Sequence, residues 1–595
     1  MTGLKEKIDM MLRQVQKPAR YTGSEWNAVQ KDHTNVDLKM VLAFPDLYEV
    51  GMSNLGLKVL YEAVNRNDNY LMERVFAPAA DMEEQMRVHK VPLFALESGR
   101  PLTEFDLVGF SLQYELCYST VINMLDLAGI PICCRDRTDS DPLVVGGGPS
   151  TCNPEPVASF FDFFLIGDGE EALPELLEKL AGLKKAGLGR KEIIKGLSDL
   201  EGLYIPSFYE DQYNDGIYSG LVCTEPGAPL PVRKRVVKDL DKAVCPAAPP
   251  VSYLQAIHDR GVIELFRGCS RGCRFCQAGF IYRPVRRRSR ETVVEAAKKT
   301  VALTGYDEIS LSSLSSCDYP DIDLLIEELN AAFQGRKIKF SLPSLRLDSY
   351  SVKLAEQVHR GRRSSLTFAP EAATDRLRKV IGKNLSTGEI FSALDAAVEA
   401  GWQGFKLYFM IGLPTEERAD VESIVDFCRD VRTRFKKKAG KKLDLSVSVS
   451  TFVPKAHTPF QWEPQISLAE IEERQRLLRE GFKKIPGIRF SWHEAEASFL
   501  EAVFARGDRR LASVLEKAWQ LGCRLDGWSE HFSFKLWKQA FEECSIRPED
   551  YANRNFSLED PLPWGHLHCG VSFDYLIRER ENALDDARNW GVENE

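Results

Sequence analysis

Two long stretches of the chain, residues 36 to 182 and 261 to 454, repeat one alternation: a short apolar run of strand type, then a segment with helical periodicity. In the first stretch VDLKMVLAFP precedes LGLKVLYEAV, FDLVGFSL precedes YSTVINMLDLAG, PLVVGGG follows, and FFDFFLIGDGE precedes EALPELLEKLAG. Strands that alternate with helices build βαβ units, so this half is expected to form a Rossmann-like parallel sheet. In the second stretch strand candidates stand at VIELF (262 to 266), EISLSS (308 to 313), KIKFSL (337 to 342), SSLTFAP (364 to 370), FKLYFMIGLP (405 to 414) and LSVSVSTFVP (445 to 454). They recur about every 30 to 45 residues, the size of a βα unit, which predicts a partial (β/α)6 barrel of the TIM type whose functional end is the strand C-termini.

This α/β reading divides the 595 residues into a helical lead (1–35), the Rossmann-like domain (36–185), a connecting region (186–255), the barrel (256–465) and a mostly helical C-terminal extension (466–595) packed on the barrel. The connecting region is marked by Pro226, Pro229, Pro231, Pro246, Pro249 and Pro250 around the basic segment RKRVVK. With 44% hydrophobic and 28% charged residues the composition excludes a mainly disordered, collagen-like or coiled-coil chain. A net charge of -9, from 78 Lys and Arg against 87 Asp and Glu, excludes a globally basic nucleic-acid coat. Fourteen cysteines are too sparse for a secreted disulfide scaffold. The opening MTGLKEKIDMMLRQVQ lacks an apolar targeting core, and the run ASFFDFFLIG is broken by Asp162, so a cytoplasmic protein with reduced thiols and no membrane partner is expected.

The segment ELFRGCSRGCRFCQAGF sets Cys269, Cys273 and Cys276 in a C-x3-C-x2-C spacing just after a predicted strand. Random placement would produce this spacing roughly 0.008 times per chain, so the triplet is not accidental. Three thiolates in a short loop suit a soft metal. A structural zinc site needs a fourth protein ligand, and ferredoxin loops use C-x2-C-x2-C with a distant fourth cysteine; neither matches. A [4Fe-4S] cluster held by three cysteines would keep one iron open to a chelating ligand.

This loop after the first barrel strand, with Phe275 before the last cysteine, resembles the radical SAM superfamily. The resemblance implies that S-adenosylmethionine chelates the open iron and is cleaved reductively to methionine and a 5′-deoxyadenosyl radical. It also implies a cofactor pocket at successive strand ends. Ser313, with Ser312 and Ser315, would lie near the cofactor's methionine end and Arg346 near its carboxylate. Glu371 would lie near its ribose or ammonium group, and Ile411 and Gly412 in FMIGLPTEE near its adenine. The implied electron donor is a flavodoxin or ferredoxin.

A Rossmann-like domain ahead of such a barrel resembles the uncharacterised bacterial family with an N-terminal B12-binding-type domain, which makes cobalamin a candidate cofactor at VVGGGPS (144–150) and LIGDGEE (165–171). The Asp-x-His-x-x-Gly signature is missing, and only His33 and His89 lie in this half, so no histidine ligand to cobalt is expected from it. The run from Arg283 to Arg290 could hold the phosphates of an RNA substrate. His566, His568 and Cys569, with Cys523 and His531, are candidate metal ligands of no defined pattern. The resulting expectation is a radical enzyme that modifies a substrate by methylation or methylthiolation; the alternative is a non-catalytic iron-sulfur or SAM-binding regulatory module.

Overall fold

The computed structural model describes residues 3–343, 352, 365–439 and 444–590. Strands β1 (Leu38–Phe44), β2 (Tyr70–Phe76), β3 (Leu107–Ser111), β4 (Leu143–Gly147), β5 (Phe163–Leu165) and β6 (Leu203–Tyr204) form one sheet in the order β2-β1-β3-β4-β5-β6, parallel except for β6. β2, β3 and β5 are buried along their whole length; β3 and β5 are nearly continuously apolar, as suits strands covered on both faces, whereas β2 buries Glu73 and Arg74, the latter paired with Glu25 and Glu97. Strand order reverses between β1 and β3, so the crevice of this sheet opens at the C-terminal ends of β1, β3 and β4. A hairpin of β7 (Tyr209–Asn214) and β8 (Ile217–Cys223) follows, then β9 (Val232–Arg233).

The second α/β unit starts at β10 (Gly261–Glu264); β11 (Phe266–Arg267) then pairs antiparallel with β12 (Arg286–Arg287). β10, β13 (Glu308–Ser312) and β14 (Lys339–Ser341) make a three-stranded parallel sheet. β15 (Leu366–Glu371), β16 (Gly404–Ile411), β17 (Asp444–Thr451) and β18 (Ile488–Trp492) make a four-stranded parallel one. Strand β18 lies beyond residue 465, where the sequence places the end of the barrel. The helix Leu468–Lys483, assigned above to the extension, is therefore the crossover that carries the chain from β17 to β18.

Phe405, Leu407, Phe409 and Ile411 of β16 and Leu445, Val447 and Val449 of β17 share one core with the helices Thr387–Glu399, Arg418–Ala439 and Leu468–Lys483. The alternate positions, Lys406, Tyr408 and Met410 with Ser446, Ser448 and Ser450, point to the other face and stay partly accessible. The period of two thus separates a dry helix-facing layer from a polar interior with room for ligands.

The middle of the C-terminal extension packs on the Rossmann-like sheet, whereas the sequence reading seats the whole extension on the barrel. Leu511, Val514, Leu515 and Ala518 form the buried stripe of the helix Leu511–Leu521, which lies on the helix Tyr118–Ala128 in one core with the first sheet. Each such Leu or Val, fully buried, contributes roughly 1.5–3 kcal/mol. Trp519 Nε1 donates to Asn123 Oδ1 at 3.2 Å, and Asp526 accepts from Ser119. Periodicity shows that a helix has an apolar face; it does not show which sheet that face covers. The chain then returns to the barrel side. β19 (Leu567–His568) pairs in parallel with β9, and the helix Phe573–Arg588 packs against the helix Asp375–Val380.

Candidate active site

The cysteine loop leaves β11 through Gly268 at φ +93°, where a Cβ would lie 2.7 Å from Tyr282 O and 2.9 Å from Pro284 O, so only glycine fits. Arg274 anchors the loop from beneath. Its backbone N–H donates to Ile381 O at 2.9 Å and its guanidinium to Val380 O at 2.8 Å, while the same group pairs with Asp586 at 2.9 Å and Glu579 at 3.3 Å. The last helix and the loop after β15 therefore clasp the same arginine.

Cys269, Cys273 and Cys276 carry free, half-buried thiols. Arg271 N–H donates to Cys269 Sγ at 3.5 Å, the kind of hydrogen bond that tunes a metal-bound thiolate. Burial pushes the Cys273 thiol up to about 11 against the pull of Lys383, and burial also raises Cys276. Cationic iron would reverse that preference, because a coordinating thiol is deprotonated outright. Among the described residues no three His, Cys, Asp or Glu side chains converge on a single ion. A cubane cluster asks for something else, since it takes each thiolate on a different iron. The donor set and the loop fit a cluster of three thiolate ligands.

Glu371 ends β15 at φ +68°, beside a register shift against β16. A left-handed glutamate is strained and held in place by its surroundings. It accepts from Lys383 Nζ at 3.2 Å and lies close enough to Cys273 and Cys276 to affect both thiols. Phe275 and Met410 pack against one apolar cluster that includes Leu413 and Phe452, which joins the cysteine loop to the end of β16. Ile411 is fully buried in the helix-facing layer, so it meets the barrel mouth only through its backbone. Gly412, at φ +76°, donates its N–H to Glu416 Oε1 at 2.7 Å. Glu416 also pairs with Arg474 at 2.9 Å, and burial raises its carboxyl to about 7. Ser313 Oγ shares a 3.0 Å hydrogen bond with Ser316 Oγ, while Ser315 Oγ is buried without a hydrogen-bond partner among the described residues. That hydroxyl is a spare donor where the cofactor's methionine end is expected. Arg346 lies outside the described residues.

A cavity of about 430 Å³ separates the two α/β units. The glycine-rich ends of β4 and β5 (Gly146, Gly147, Gly148, Gly167) line one wall; Phe266, Gly268, Ile281, Tyr282, Ser312 and Ser313 line the other. At Gly147 an added Cβ would meet only Leu165 O at 3.8 Å, so the absent side chain leaves open space there. Among the described residues no histidine lines this cavity. His33 is tied to Glu73 Oε1 at 2.6 Å. Beside the cavity Arg267 pairs with Asp168 and Glu170, each at 2.8 Å, and with Glu264 at 2.9 Å, so one guanidinium joins both units.

The arginine run expected to hold RNA phosphates does not form an exposed basic surface. Arg286 is buried against Asp168 and Val237 O, and Arg288 is buried against Leu240 O and Val244 O. Arg283 donates to Cys269 O and lies over the Phe280 ring. Only Arg287 is exposed. The C-terminal histidines and cysteines do not assemble as a metal site either. His566 is enclosed by Glu155 and Tyr204, whereas Cys569 meets Cys152. Sequence reasoning missed Lys383, twelve residues after Glu371, and Asp168, visible only as part of a glycine-rich turn.

No helix among the described residues is long and apolar enough to cross a membrane. A family model described as "Radical SAM proteins, N-terminal" matches residues 56–206, and one described as "Radical SAM superfamily" matches residues 263–428. The chain is 26% identical over 480 residues to an uncharacterised protein of Methanocaldococcus jannaschii, covering 80% of this chain and 90% of that protein. It is 24% identical over 335 residues to an uncharacterised methyltransferase of Pyrococcus horikoshii, covering 54% of this chain and 64% of that protein. Among solved structures it is similar to the radical S-adenosylmethionine methyltransferase TsrM from Kitasatospora setae with cobalamin and a [4Fe-4S] cluster bound (14% identity, TM-score 0.46, 69% of this chain and 74% of that one). It is also similar to the cobalamin-dependent S-adenosylmethionine radical enzyme OxsB (12% identity, TM-score 0.47, 94% and 80%).

Proposed function

The chain belongs to the radical SAM superfamily and is an enzyme of that type, and from that premise we propose that it methylates a substrate admitted to the cavity between its two α/β units. This reading replaces the regulatory module that the sequence alone leaves open. In this superfamily a [4Fe-4S] cluster and S-adenosylmethionine together supply a 5′-deoxyadenosyl radical by reductive cleavage. Here Cys269, Cys273 and Cys276 would hold the cluster, with Arg271 N–H on one sulfur. Glu371, oriented by Lys383, and the free hydroxyl of Ser315 would bind the cofactor's polar groups, while Phe275 and the Gly412 backbone close the adenine end. The electron would come from a low-potential carrier of the flavodoxin or ferredoxin class in a reducing, cytoplasmic setting.

One observation carries the reading: the cavity is walled on one side by the glycine edge of the first sheet and on the other by the flanks of the cysteine loop, so a group bound there reaches both. A corrin suits that shape, since Gly147 leaves it room and apolar Leu42, Phe110, Val145 and Leu173 supply a dry wall. Any cobalt held there would have no histidine from this chain's first half as ligand. The relative from Pyrococcus horikoshii, named a methyltransferase, favours methyl transfer as the outcome.

The test is corrin retention. Anaerobic protein mixed with hydroxocobalamin and desalted should keep a stoichiometric corrin, with no histidine nitrogen signature in paramagnetic resonance once the cobalt is reduced by one electron to cob(II)alamin. With a reductant that takes the cobalt to cob(I)alamin and S-adenosylmethionine labelled in its methyl group, the label should reach that corrin as S-adenosylhomocysteine leaves. Gly147→Leu should lose the corrin while iron content stays unchanged. Retention equal in wild type and Gly147→Leu, or none in wild type, would remove the cavity from the account.

A further inference from the structure

Cys152 and Cys569 are 417 residues apart in sequence, yet their sulfurs lie 3.9 Å from each other. Cys152 ends the short helical turn Pro149–Cys152 after β4, and Cys569 directly follows β19. The pairing of β19 with β9 and the bond from Lys234 Nζ to Ile281 O, 2.6 Å, fix these segments against the short helix that carries Ile281. Both cysteines are buried from bulk solvent, but both line the cavity.

A buried cysteine among apolar neighbours is inert packing. The surroundings here are different. The His457 ring reaches Cys152 O at 3.0 Å and lies within hydrogen-bonding reach of Cys569, and the Lys234 ammonium is close enough to favour its thiolate. Two free thiols in van der Waals contact, flanked by an imidazole and an ammonium and open to a cavity, are arranged for exchange.

We propose that Cys152 and Cys569 form a redox-active dithiol in the cavity wall, a disulfide-exchange site for low-molecular-weight disulfides and dithiols. Cys569 is the attacking sulfur: contact with Cys152, then His457 and Lys234, hold its thiol well below the ordinary range against the effect of burial, whereas Cys152 is raised. Cys569 thiolate attacks a disulfide RSSR and forms a mixed disulfide, releasing RS⁻. Cys152 then loses its proton to solvent and attacks the Cys569 sulfur, releasing a second RS⁻ and leaving the Cys152–Cys569 disulfide. The protein is oxidised by two electrons and RSSR is reduced to two thiols; an added dithiol reverses both steps. The bond would tie the turn after β4 to the C-terminal segment across one cavity wall and close a loop of more than four hundred residues, which restricts the unfolded chain. None of this depends on what the cavity holds during turnover.

The experiment uses the full-length, cluster-loaded protein under anaerobic conditions. It is treated with bis(2-hydroxyethyl) disulfide, quenched in acid, alkylated and mapped without reduction. A cross-linked peptide pair containing Cys152 and Cys569 should accumulate, vanish with dithiothreitol, and raise Tm while cluster absorbance stays constant. In Cys152→Ser the hydroxyethyl adduct should settle on Cys569; in Cys569→Ser, Cys152 should stay unmodified. Should either variant fail to fold, iodoacetamide on reduced wild type decides the order of attack, with Cys569 expected to react at least about tenfold faster. Absence of the cross-link under conditions that modify the half-buried Cys133, or equal alkylation of Cys152 and Cys569, would overturn the proposal.

Discussion

Lys383 donates to Glu371 across 3.2 Å, and this one bond ties the left-handed end of β15 to the loop that presses Gly382 against the backbone of Gly272 in the cysteine loop. The carboxylate is therefore poised beside the thiols without being a ligand. Glu371→Ala is expected to slow S-adenosylmethionine cleavage about 10- to 100-fold, the loss of one or two charge-assisted hydrogen bonds. Iron content should not change. Unaltered cleavage and cofactor affinity would leave Glu371 a purely structural residue.

Glu416 predicts a pH dependence. Burial lifts its carboxyl from 4.5 to about 7 while the Gly412 N–H and Arg474 work against that lift. The folded state thus holds a proton that the unfolded state releases, so stability falls as pH rises from the unfolded value through the folded one. Between pH 4.5 and 7 the group's contribution should drop by about 3 kcal/mol. Glu416→Gln should flatten that slope in denaturant unfolding measured at pH 5 and at pH 7.5. An identical slope in the variant would remove Glu416 as its source.

Arg267 holds Glu264, Asp168 and Glu170 at the junction of the two units. Arg267→Met leaves Glu170 and Glu264 without their guanidinium and Asp168 with Arg286 alone, and breaking a buried pair in this way costs about 3–5 kcal/mol. Urea unfolding should show that loss, with the two units separating before either melts. A variant as stable as wild type would show that the junction rests on apolar packing instead.

Much of this was legible in the sequence because it is written in local pattern. Strands β1, β3, β4, β5, β10 and β13 to β17 coincide with apolar runs; β2, YLMERVF broken by Glu73 and Arg74, and β18, IRFSW with alternating exposure, give no continuous apolar signal. The C-x3-C-x2-C loop and the strand-end residues Glu371 and Gly412 follow from spacing and resemblance. What escaped depends on distant partners. The arginine run looked like a basic patch because sequence cannot show that Asp168 and the carbonyls of residues 237 to 244 surround Arg286 and Arg288. The contact of Cys152 with Cys569 spans almost the whole chain, and the seating of Leu511–Leu521 on the first sheet is a choice between two available faces.

The central claim is that the three cysteines hold a cluster that cleaves S-adenosylmethionine, and one measurement tests it most directly. Anaerobically reconstituted protein, with dithionite or reduced flavodoxin as electron source, is assayed by chromatography for 5′-deoxyadenosine and methionine. About four irons per chain and steady formation of both products are expected; Cys269→Ala/Cys273→Ala/Cys276→Ala should lose the iron, its charge-transfer absorbance and all product. Iron and product persisting unchanged in that triple variant would contradict the account.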